Sequence, residues 1–262
     1  MVDYLSLTSV LIEPYFNETK LGSATGFIIE NKNQHYLVTN WHAITGINPL
    51  TGVPIHSQGG LPNSLVIWHH VKSLQTNTID WFSIKVPLYE SKEINREERK
   101  WIEHPRGKQI DVVLLPLNPT PEIIHINKQQ THVHIHSFDM KLASVDMIPT
   151  PAMPISIIGF PLGRTAGGAL PIWVTGFIAS EPDVDIDNMP LLYVNATGRS
   201  GLSGAPVVLR LSGGYATSDG KFIFGGGYQT KFIGINSGRI CENSEVCRVW
   251  KPIVLDQILK SM

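Results

Sequence analysis

The stretch GRSGLSGAPVV, residues 198–208, decides how this chain is interpreted. Gly201 and Gly204 lie on either side of Ser203 and allow a tight turn with backbone angles that other residues rarely adopt. Such a turn can aim the backbone amides of Gly201 and Ser203 at one point, where a developing oxyanion would bind. Pro206 suits the first position of the apolar strand that follows, because it lacks an N–H. The stretch predicts Ser203 as a nucleophile and the amides of Gly201 and Ser203 as an oxyanion hole.

Two earlier stretches supply the partners that a serine nucleophile needs. LVTNWHAI, residues 37–44, contains His42, and QIDVVLLPL, residues 109–117, places Asp111 at the start of an apolar run. A serine hydroxyl is a weak nucleophile at neutral pH, so a base must take its proton, and imidazole exchanges protons in that range. A carboxylate beside a buried strand is costly to bury without a partner. We therefore expect Asp111 to orient His42, and His42 to act as the base for Ser203.

The order histidine, aspartate, serine and the G-x-S-G-x-P pattern resemble those of trypsin-fold (chymotrypsin-like) serine peptidases. The resemblance is nearest to the bacterial HtrA-type and glutamyl-endopeptidase-type branches, and it concerns the protease domain only. It covers roughly residues 5 to 240. Further matching stretches are GSATGFIIE (22–30), ISIIGFPLG (155–163), WVTGFIAS (173–180) and KFIGINSG (231–238).

The resemblance implies an all-β fold of two antiparallel six-stranded β-barrels packed together, with the active site between them and a short C-terminal helix. The first barrel would carry His42 and Asp111, and the second Ser203. A length of 262 residues suits two small barrels, and 23 glycines and 18 prolines predict frequent turns. We expect an N-terminal barrel over 1–125, a connection over 126–150, a C-terminal barrel over 151–248 and a helix over 249–262.

The implied activity is that of a serine endopeptidase, which hydrolyses peptide bonds through a Ser-His-Asp triad and an acyl-enzyme intermediate. By the same resemblance, the pocket for the substrate side chain is lined by small or polar residues and one arginine: Thr197, Gly198, Asn236, Ser237, Gly238 and Arg239. An arginine near the mouth favours an acidic or polar substrate residue, and a small aliphatic residue stays open. The triad needs no cofactor and no metal, so none is expected.

Leu202 departs from the pattern of the digestive members of this family. Those members have an aspartate there, which receives a newly cut N-terminal amine, and a leucine can accept no such charge. The protease is therefore either active as made or controlled by a regulatory partner or a loop movement. Two alternatives to a self-sufficient protease stay open. One is a partner-activated protease subunit of a bacterial stress or defence system, and the other is a catalytically silent binding module on the same fold.

Composition and charge restrict the expected classes of binding partner and the expected cellular location. The formal net charge of −1 comes without a basic stripe, so we expect a protein or peptide substrate and no nucleic acid. The sequence has no apolar run of membrane-spanning length and no basic start typical of a signal peptide, so we expect a cytoplasmic protein with no membrane partner. Cys241 and Cys247 could close a small disulfide loop, although a reducing compartment favours free thiols.

The stretch THVHIH, residues 131–136, places three histidines, His132, His134 and His136, on one face of a strand. Alternating histidines can bind zinc. No cysteine or carboxylate with supporting spacing accompanies them, so a polar strand that links the two barrels is favoured over a metal site.

Overall fold

The structure, a computed structural model, describes residues 2–72, 79–91, 94–117, 123–126, 129–132 and 135–262. Its α-helices are α1 (Tyr4–Thr8), α2 (Trp41–Thr45) and α3 (Ile253–Lys260). Its strands are β1 (Ser9–Phe16), β2 (Thr19–Lys20), β3 (Ala24–Asn31), β4 (Gln34–Thr39), β5 (Ser64–Lys72), β6 (Ile79–Pro87), β7 (Ile102–Glu103), β8 (Val113–Pro116), β9 (Ile123–Ile126), β10 (Gln129–His132), β11 (Pro154–Gly159), β12 (Ile172–Ile178), β13 (Leu191–Ala196), β14 (Pro206–Ala216), β15 (Phe222–Arg239) and β16 (Val246–Trp250). Short 3-10 helices lie at Arg96–Glu98, Gly107–Gln109, Met140–Ser144, Pro161–Gly163 and Gly167–Ala169.

The C-terminal half is a closed antiparallel barrel with the strand order β11-β12-β13-β16-β15-β14. Alternate residues of its strands point inward, as the period of two requires, and they form an apolar interior that includes Ile157, Val194, Val207 and Val249. Closure leaves no unpaired edge among these six strands. The predicted six-stranded barrel is confirmed for this half of the chain.

The N-terminal half is an antiparallel sheet that does not close among the described strands. Its order is β7-β8-β4-β3-β1-β5-β10-β9, with β2 also paired to β1 and β6 to β5. One edge is the two-residue strand β7, whose Ile102 and Glu103 pair with β8, and the other edge is β9. The prediction of two closed barrels is therefore wrong in this respect for the structure as described, which has one closed barrel and one open sheet.

An apolar core joins the two halves. The rings of Phe27 in β3, Phe138 in the connecting segment and Phe232 in β15 pack together, with centroids 4.9–5.8 Å apart. The C-terminal helix α3 adds buried residues to the same cluster, among them Leu255 and Ile258. The predicted C-terminal helix is confirmed, and it begins after Pro252 because β16 extends to Trp250. The core fixes the two halves against each other, and with them the loops that each half contributes to the cleft.

Two adjacent histidines of β5 are buried in the N-terminal half. The ring of His69 stacks on that of Phe82 with centroids 5.4 Å apart, and Nε2 of His70 lies 2.9 Å from the carbonyl oxygen of Ala169. Burial, aided by the neighbouring His70, lowers the pKa of His69 to about 4. Burial also lowers the pKa of His70.

The close approach of β12 and β13 predicts a strict requirement for glycine at position 176. A methyl group on Gly176 would lie 2.2 Å from the carbonyl oxygen of Asn195, which is backbone and cannot move aside. Gly176→Ala should lower the free energy of unfolding by about 1–3 kcal/mol in urea denaturation. Gly226→Ala is the matched control, because a methyl group there meets no atom within 4 Å. Equal stability of the two variants would contradict the described packing of the barrel.

The depressed pKa of His69 predicts a loss of stability in mild acid. The unfolded chain takes up this proton near the ordinary histidine pKa of 6.5, whereas the folded chain resists it down to about 4. The contribution of neutral His69 to the free energy of unfolding should therefore be fully present above pH 6.5 and should be lost as the pH falls towards 4. The contribution of His69 between pH 6.5 and pH 5 is about 2 kcal/mol. His69→Phe, compared with wild type by urea unfolding at both pH values, should lose correspondingly less; equal losses would contradict the burial of a neutral imidazole.

Candidate active site

His42 and Asp111 come together because the strands beside them are paired. β4 and β8 run antiparallel with Thr39 opposite Val113, so the end of β4 lies beside the start of β8. His42 follows β4 in α2, and Asp111 precedes β8. Nδ1 of His42 lies 2.6 Å from Oδ2 of Asp111, and the backbone N–H of His42 donates to Oδ1 at 2.9 Å. The sequence predicted this pairing, and the structure has both contacts.

The carboxylate of Asp111 is buried, with 4% of the residue exposed, and its contacts meet the cost of burial. Besides the two contacts from His42, Oδ2 accepts a hydrogen bond from Oγ of Ser237 at 2.5 Å. Asn40 holds the backbone next to it by donating from Nδ2 to the carbonyl oxygen of Asp111 at 2.7 Å. Because the ionised carboxylate only accepts, Nδ1 of His42 is the donor, and Nε2 is left as the acceptor.

The loop that bears Ser203 is held by both halves of the molecule. Gly201 and Gly204 have φ angles of 95° and 84°, in the left-handed region. A methyl group on Gly201 would lie 2.2 Å from the carbonyl oxygen of Phe160, and one on Gly204 would lie 2.2 Å from that of Thr25. The backbone N–H of Thr25 donates to the carbonyl oxygen of Ser203 at 2.9 Å. Both glycines are therefore required by conformation and by space.

Two amides of this loop are free to bind an anion. The N–H of Leu202 donates to Arg199 and that of Gly204 donates to Asn236, both to carbonyl oxygens. Among the described residues, neither the N–H of Gly201 nor that of Ser203 has a protein acceptor. These are the two amides predicted for the oxyanion hole.

Ser203 and His42 line one cavity of about 150 Å³. Within the described part of the chain, no hydrogen bond joins Oγ of Ser203 to the ring of His42. Such a contact is often long in an empty site and shortens when substrate binds. The cavity therefore brings together the predicted nucleophile and the predicted base.

The six residues predicted for the substrate pocket lie in several different environments. Thr197 is exposed, whereas Gly198 is buried against the side chain of Arg239. Asn236 is buried and donates from Nδ2 to the carbonyl oxygen of Leu202 at 2.8 Å, so it supports the serine loop. Ser237 binds Asp111, as described above. None of the six lines the cavity that Ser203 and His42 share, and their role in substrate binding stays a prediction.

Gly238 and Arg239 are the members of that set whose placement suits a substrate. A methyl group on Gly238 would lie 3.9 Å from Oγ of Ser203. A methyl group on Gly198 would lie 2.6 Å from Cγ of Arg239 and 2.8 Å from Sγ of Cys247. The aliphatic part of the Arg239 side chain therefore packs directly against Gly198. The guanidinium of Arg239 makes no ion pair with a described carboxylate.

Sequence reasoning missed Thr25, which links the two halves through its side chain. The residue is fully buried, and its Oγ1 donates to the carbonyl oxygen of Gly201 at 2.7 Å. Oγ1 of Thr25 also accepts a hydrogen bond from the backbone N–H of Phe160 at 3.0 Å. A threonine in an apolar strand is normally interpreted as packing, and only its distance from Gly201 in space reveals the second role.

The other predicted features of the sequence fall outside the site. Cys241 and Cys247 are free thiols, and burial raises the pKa of Cys247 to about 11. Of the predicted histidine face, His134 lies outside the described residues. Within the ranges that the structure describes, no group of three or more histidine, cysteine, aspartate or glutamate side chains is placed to hold a metal ion. The described helices are all too short or too polar to span a bilayer.

Comparisons with known proteins give structural likeness only. No protein-family model matches the chain, and no curated protein matches it. Among solved structures, the thermostable serine protease AL20 from an extremophilic microorganism is 12% identical, with 99% of this chain and 98% of that chain covered at a TM-score of 0.49. The active form of the Rv3671c protease from M. tuberculosis is 14% identical, with 98% and 81% covered at 0.47. The serine endoprotease from Yersinia pestis is 13% identical, with 100% and 66% covered at 0.48. Likeness at this level says nothing about the chemistry of the site.

The two hydrogen bonds of the Thr25 hydroxyl predict that its removal disturbs the serine loop. Thr25→Val keeps the shape of the side chain but leaves the carbonyl oxygen of Gly201 and the N–H of Phe160 without this partner. Urea unfolding should show a loss of about 1–3 kcal/mol. Thr25→Ser is the control, because it keeps the hydroxyl and loses a methyl group. A valine variant at least as stable as the serine variant would contradict the role of the hydroxyl.

Proposed function

We propose that this protein is a serine endopeptidase in which Ser203 attacks the peptide carbonyl, His42 takes the proton and Asp111 holds the imidazole. One observation carries the proposal. The buried Asp111 fixes Nδ1 of His42 at 2.6 Å, and the same histidine lines a cavity together with Ser203, whose neighbouring amides have no protein acceptor. A base oriented by a third group and placed near a nucleophile is the arrangement that activates a serine.

The reaction follows from these placements. Oγ of Ser203 attacks the carbonyl carbon while Nε2 of His42 accepts the hydroxyl proton. The carbonyl oxygen becomes negatively charged and is bound by the N–H groups of Gly201 and Ser203. The C–N bond then breaks, His42 gives its proton to the departing amine, and the acyl group stays on Ser203 as an ester. Water repeats the sequence, with His42 as base and then acid, and releases the carboxylic acid product.

Asp111 and Ser237 stabilise the intermediate form of the base. When His42 accepts the serine proton it becomes a cation, and the adjacent carboxylate stabilises that cation without taking the proton itself. The hydrogen bond from Ser237 keeps the charge of Asp111 on the side of the ring, since it orients the same oxygen that binds Nδ1. Ser237 is a positioning residue in this scheme.

The surroundings of Leu202 favour a protease that needs no N-terminal processing. Leu202 is fully buried among apolar residues of the barrel interior. Its carbonyl oxygen accepts a hydrogen bond from Asn236, and the carbonyl oxygens of Gly201 and Ser203 on either side accept hydrogen bonds from Thr25. An apolar anchor and neutral hydrogen bonds thus take the place of an ion pair. This supports a serine loop that needs no newly cut N-terminus, and covalent labelling distinguishes a self-sufficient enzyme from a partner-activated protease subunit or a silent binding module.

Covalent labelling with a fluorophosphonate tests the proposal. The full-length protein should react in the presence of EDTA and of reductant, and mass spectrometry should locate the label on Ser203. Ser203→Ala should abolish labelling, and His42→Ala should slow it by several powers of ten, because members of a triad act as a unit. Ser200→Ala is the matched control. It removes a serine of the same loop that also lines the cavity, and labelling should persist.

Three outcomes would contradict parts of the proposal. A label on Ser200 would overturn the assignment of the nucleophile. Labelling that disappears with EDTA and returns with zinc would contradict a metal-independent triad. Failure to label while the circular dichroism spectrum and thermal unfolding are intact would favour the binding module or the partner-activated subunit.

A further inference from the structure

The cavity beside the catalytic pair is distinct from the pocket predicted for the substrate side chain. His42 and Ser203 form one side of it, and Leu21, Ile55 and Pro62 from loops of the N-terminal sheet form the other. None of the residues predicted for the substrate pocket contributes to it. The cleft therefore has a second concave surface, which the proposed function has not yet used.

The chemistry of the triad determines which part of a substrate lies over this cavity. The departing amine takes its proton from His42, so the amine nitrogen must lie next to the imidazole when the peptide bond breaks. The residue that carries this nitrogen is the first one on the leaving side of the substrate. The cavity is lined by His42, whereas Gly238 approaches Ser203 from β15. A peptide that passes Ser203 thus places its acyl part beside β15 and its leaving part over the cavity.

The walls of the cavity favour an apolar side chain. Its lining residues from the described chain include no aspartate, glutamate, lysine or arginine, and its polar side chains are those of Ser23, His42, His56, Ser200 and Ser203. Leu21, Ile55 and Pro62 present carbon atoms, and Ile55 is 54% exposed, so its apolar surface is available for a ligand to cover. An enclosed apolar cavity of about 150 Å³ accommodates a group the size of benzene. The cavity beside Ser203 has a similar volume of about 150 Å³, which suits one aliphatic or aromatic side chain.

Two glycines keep this space open. A methyl group on Gly60 would lie 2.8 Å from Cδ2 of Leu21, and one on Gly46 would lie 2.5 Å from Cδ of Pro62. Gly46 also accepts a hydrogen bond at its carbonyl oxygen from the N–H of Ile55, which fixes the loop that carries Ile55. The cavity is thus a built part of the fold, with its apolar rim anchored to the end of α2.

We propose that this cavity binds an apolar side chain of the residue that directly follows the cleaved bond, and so selects the leaving side of the substrate. The proposal rests on the proposed function, because the cavity acts only where Ser203 forms an acyl-enzyme. Because a leucine side chain buries apolar surface that glycine lacks, a preference of about tenfold or more over glycine is expected.

Acyl transfer tests this selection separately from catalysis. Reaction with N-acetyl-alanine p-nitrophenyl ester forms the acyl-enzyme and releases nitrophenolate, which reports the proposed function. An added amine then attacks the ester carbonyl on the side that the leaving group vacated. His42 takes the amine proton, the C–N bond forms, the C–O bond to Ser203 breaks, and the serine oxygen recovers the proton. The ratio of amide to acid product measures how well each amine binds there.

The expected result is a product ratio about tenfold or more higher for leucinamide than for glycinamide, and lowest for the amide of aspartic acid. Ile55→Asp should remove most of the preference for leucinamide. Val53→Asp is the matched control, because Val53 is 58% exposed in the same loop and does not line the cavity. This variant should keep the preference.

The failures of the two proposals are distinguishable. Equal product ratios for leucinamide and glycinamide, with nitrophenolate release intact, would overturn selection by the cavity and leave the endopeptidase standing. An equal loss of preference in Ile55→Asp and Val53→Asp would also overturn it, because the effect would then come from charge in the loop. Absence of nitrophenolate release would contradict the proposed function, and selection by this cavity would fall with it.

Discussion

The buried carboxylate of Asp111 is the constraint on which the rest of the site depends. A charged oxygen out of contact with water must be matched by donors, and the donors here come from distant parts of the chain. His42 supplies two of them from the end of β4, and Ser237 supplies the third from β15 of the barrel. Satisfying one carboxylate therefore requires the sheet and the barrel to meet in a single arrangement, which also orients the ring of His42, the proposed base.

The serine loop depends on a second set of hydrogen bonds between the halves, in which a residue of the sheet holds a loop of the barrel. Thr25 belongs to the sheet, yet its backbone holds Ser203 and its hydroxyl holds Gly201 in the barrel. Because the chain is fixed on both sides of Leu202, the amides of Gly201 and Ser203 have little freedom to turn away. The contacts at Asp111 and at Thr25 join the two halves and also fix the geometry of the site, so a change in how the halves pack would change the site.

The sequence predicts the short motifs of the site better than the contacts between the two halves. Ser203 with its flanking glycines, and His42 with Asp111, could be predicted because each lies in a short stretch with its own chemical reason. The closed C-terminal barrel was expected from the family resemblance alone, because a pattern of short strands permits closure without requiring it. Among the described strands the N-terminal sheet stays open between β7 and β9, and this could not be foreseen because the pairing of edge strands is set by neighbours in space.

The roles of Thr25 and Ser237 were hidden for a related reason. Each is a small hydroxyl residue in a strand, and such residues usually pack or bind water near their own backbone. Thr25 lies 176 residues from Gly201, and Ser237 lies 126 residues from Asp111, so no pattern along the chain connects either pair. What decides their function is the position of the opposite half, which is a property of the folded molecule.

The cleft that results is unequal on its two sides. On the side predicted for the acyl part of a substrate, the side chain of Arg239 packs against Gly198. On the side proposed for the leaving part, the lining of the cavity includes no aspartate, glutamate, lysine or arginine. Under the proposed function, a substrate would gain apolar burial on the leaving side and could meet the charge of Arg239 on the other. If both proposals hold, discrimination between substrates is divided between a charge contact and a hydrophobic one. The two would respond differently to salt, because exposed charge contacts weaken as ionic strength rises, whereas apolar burial does not.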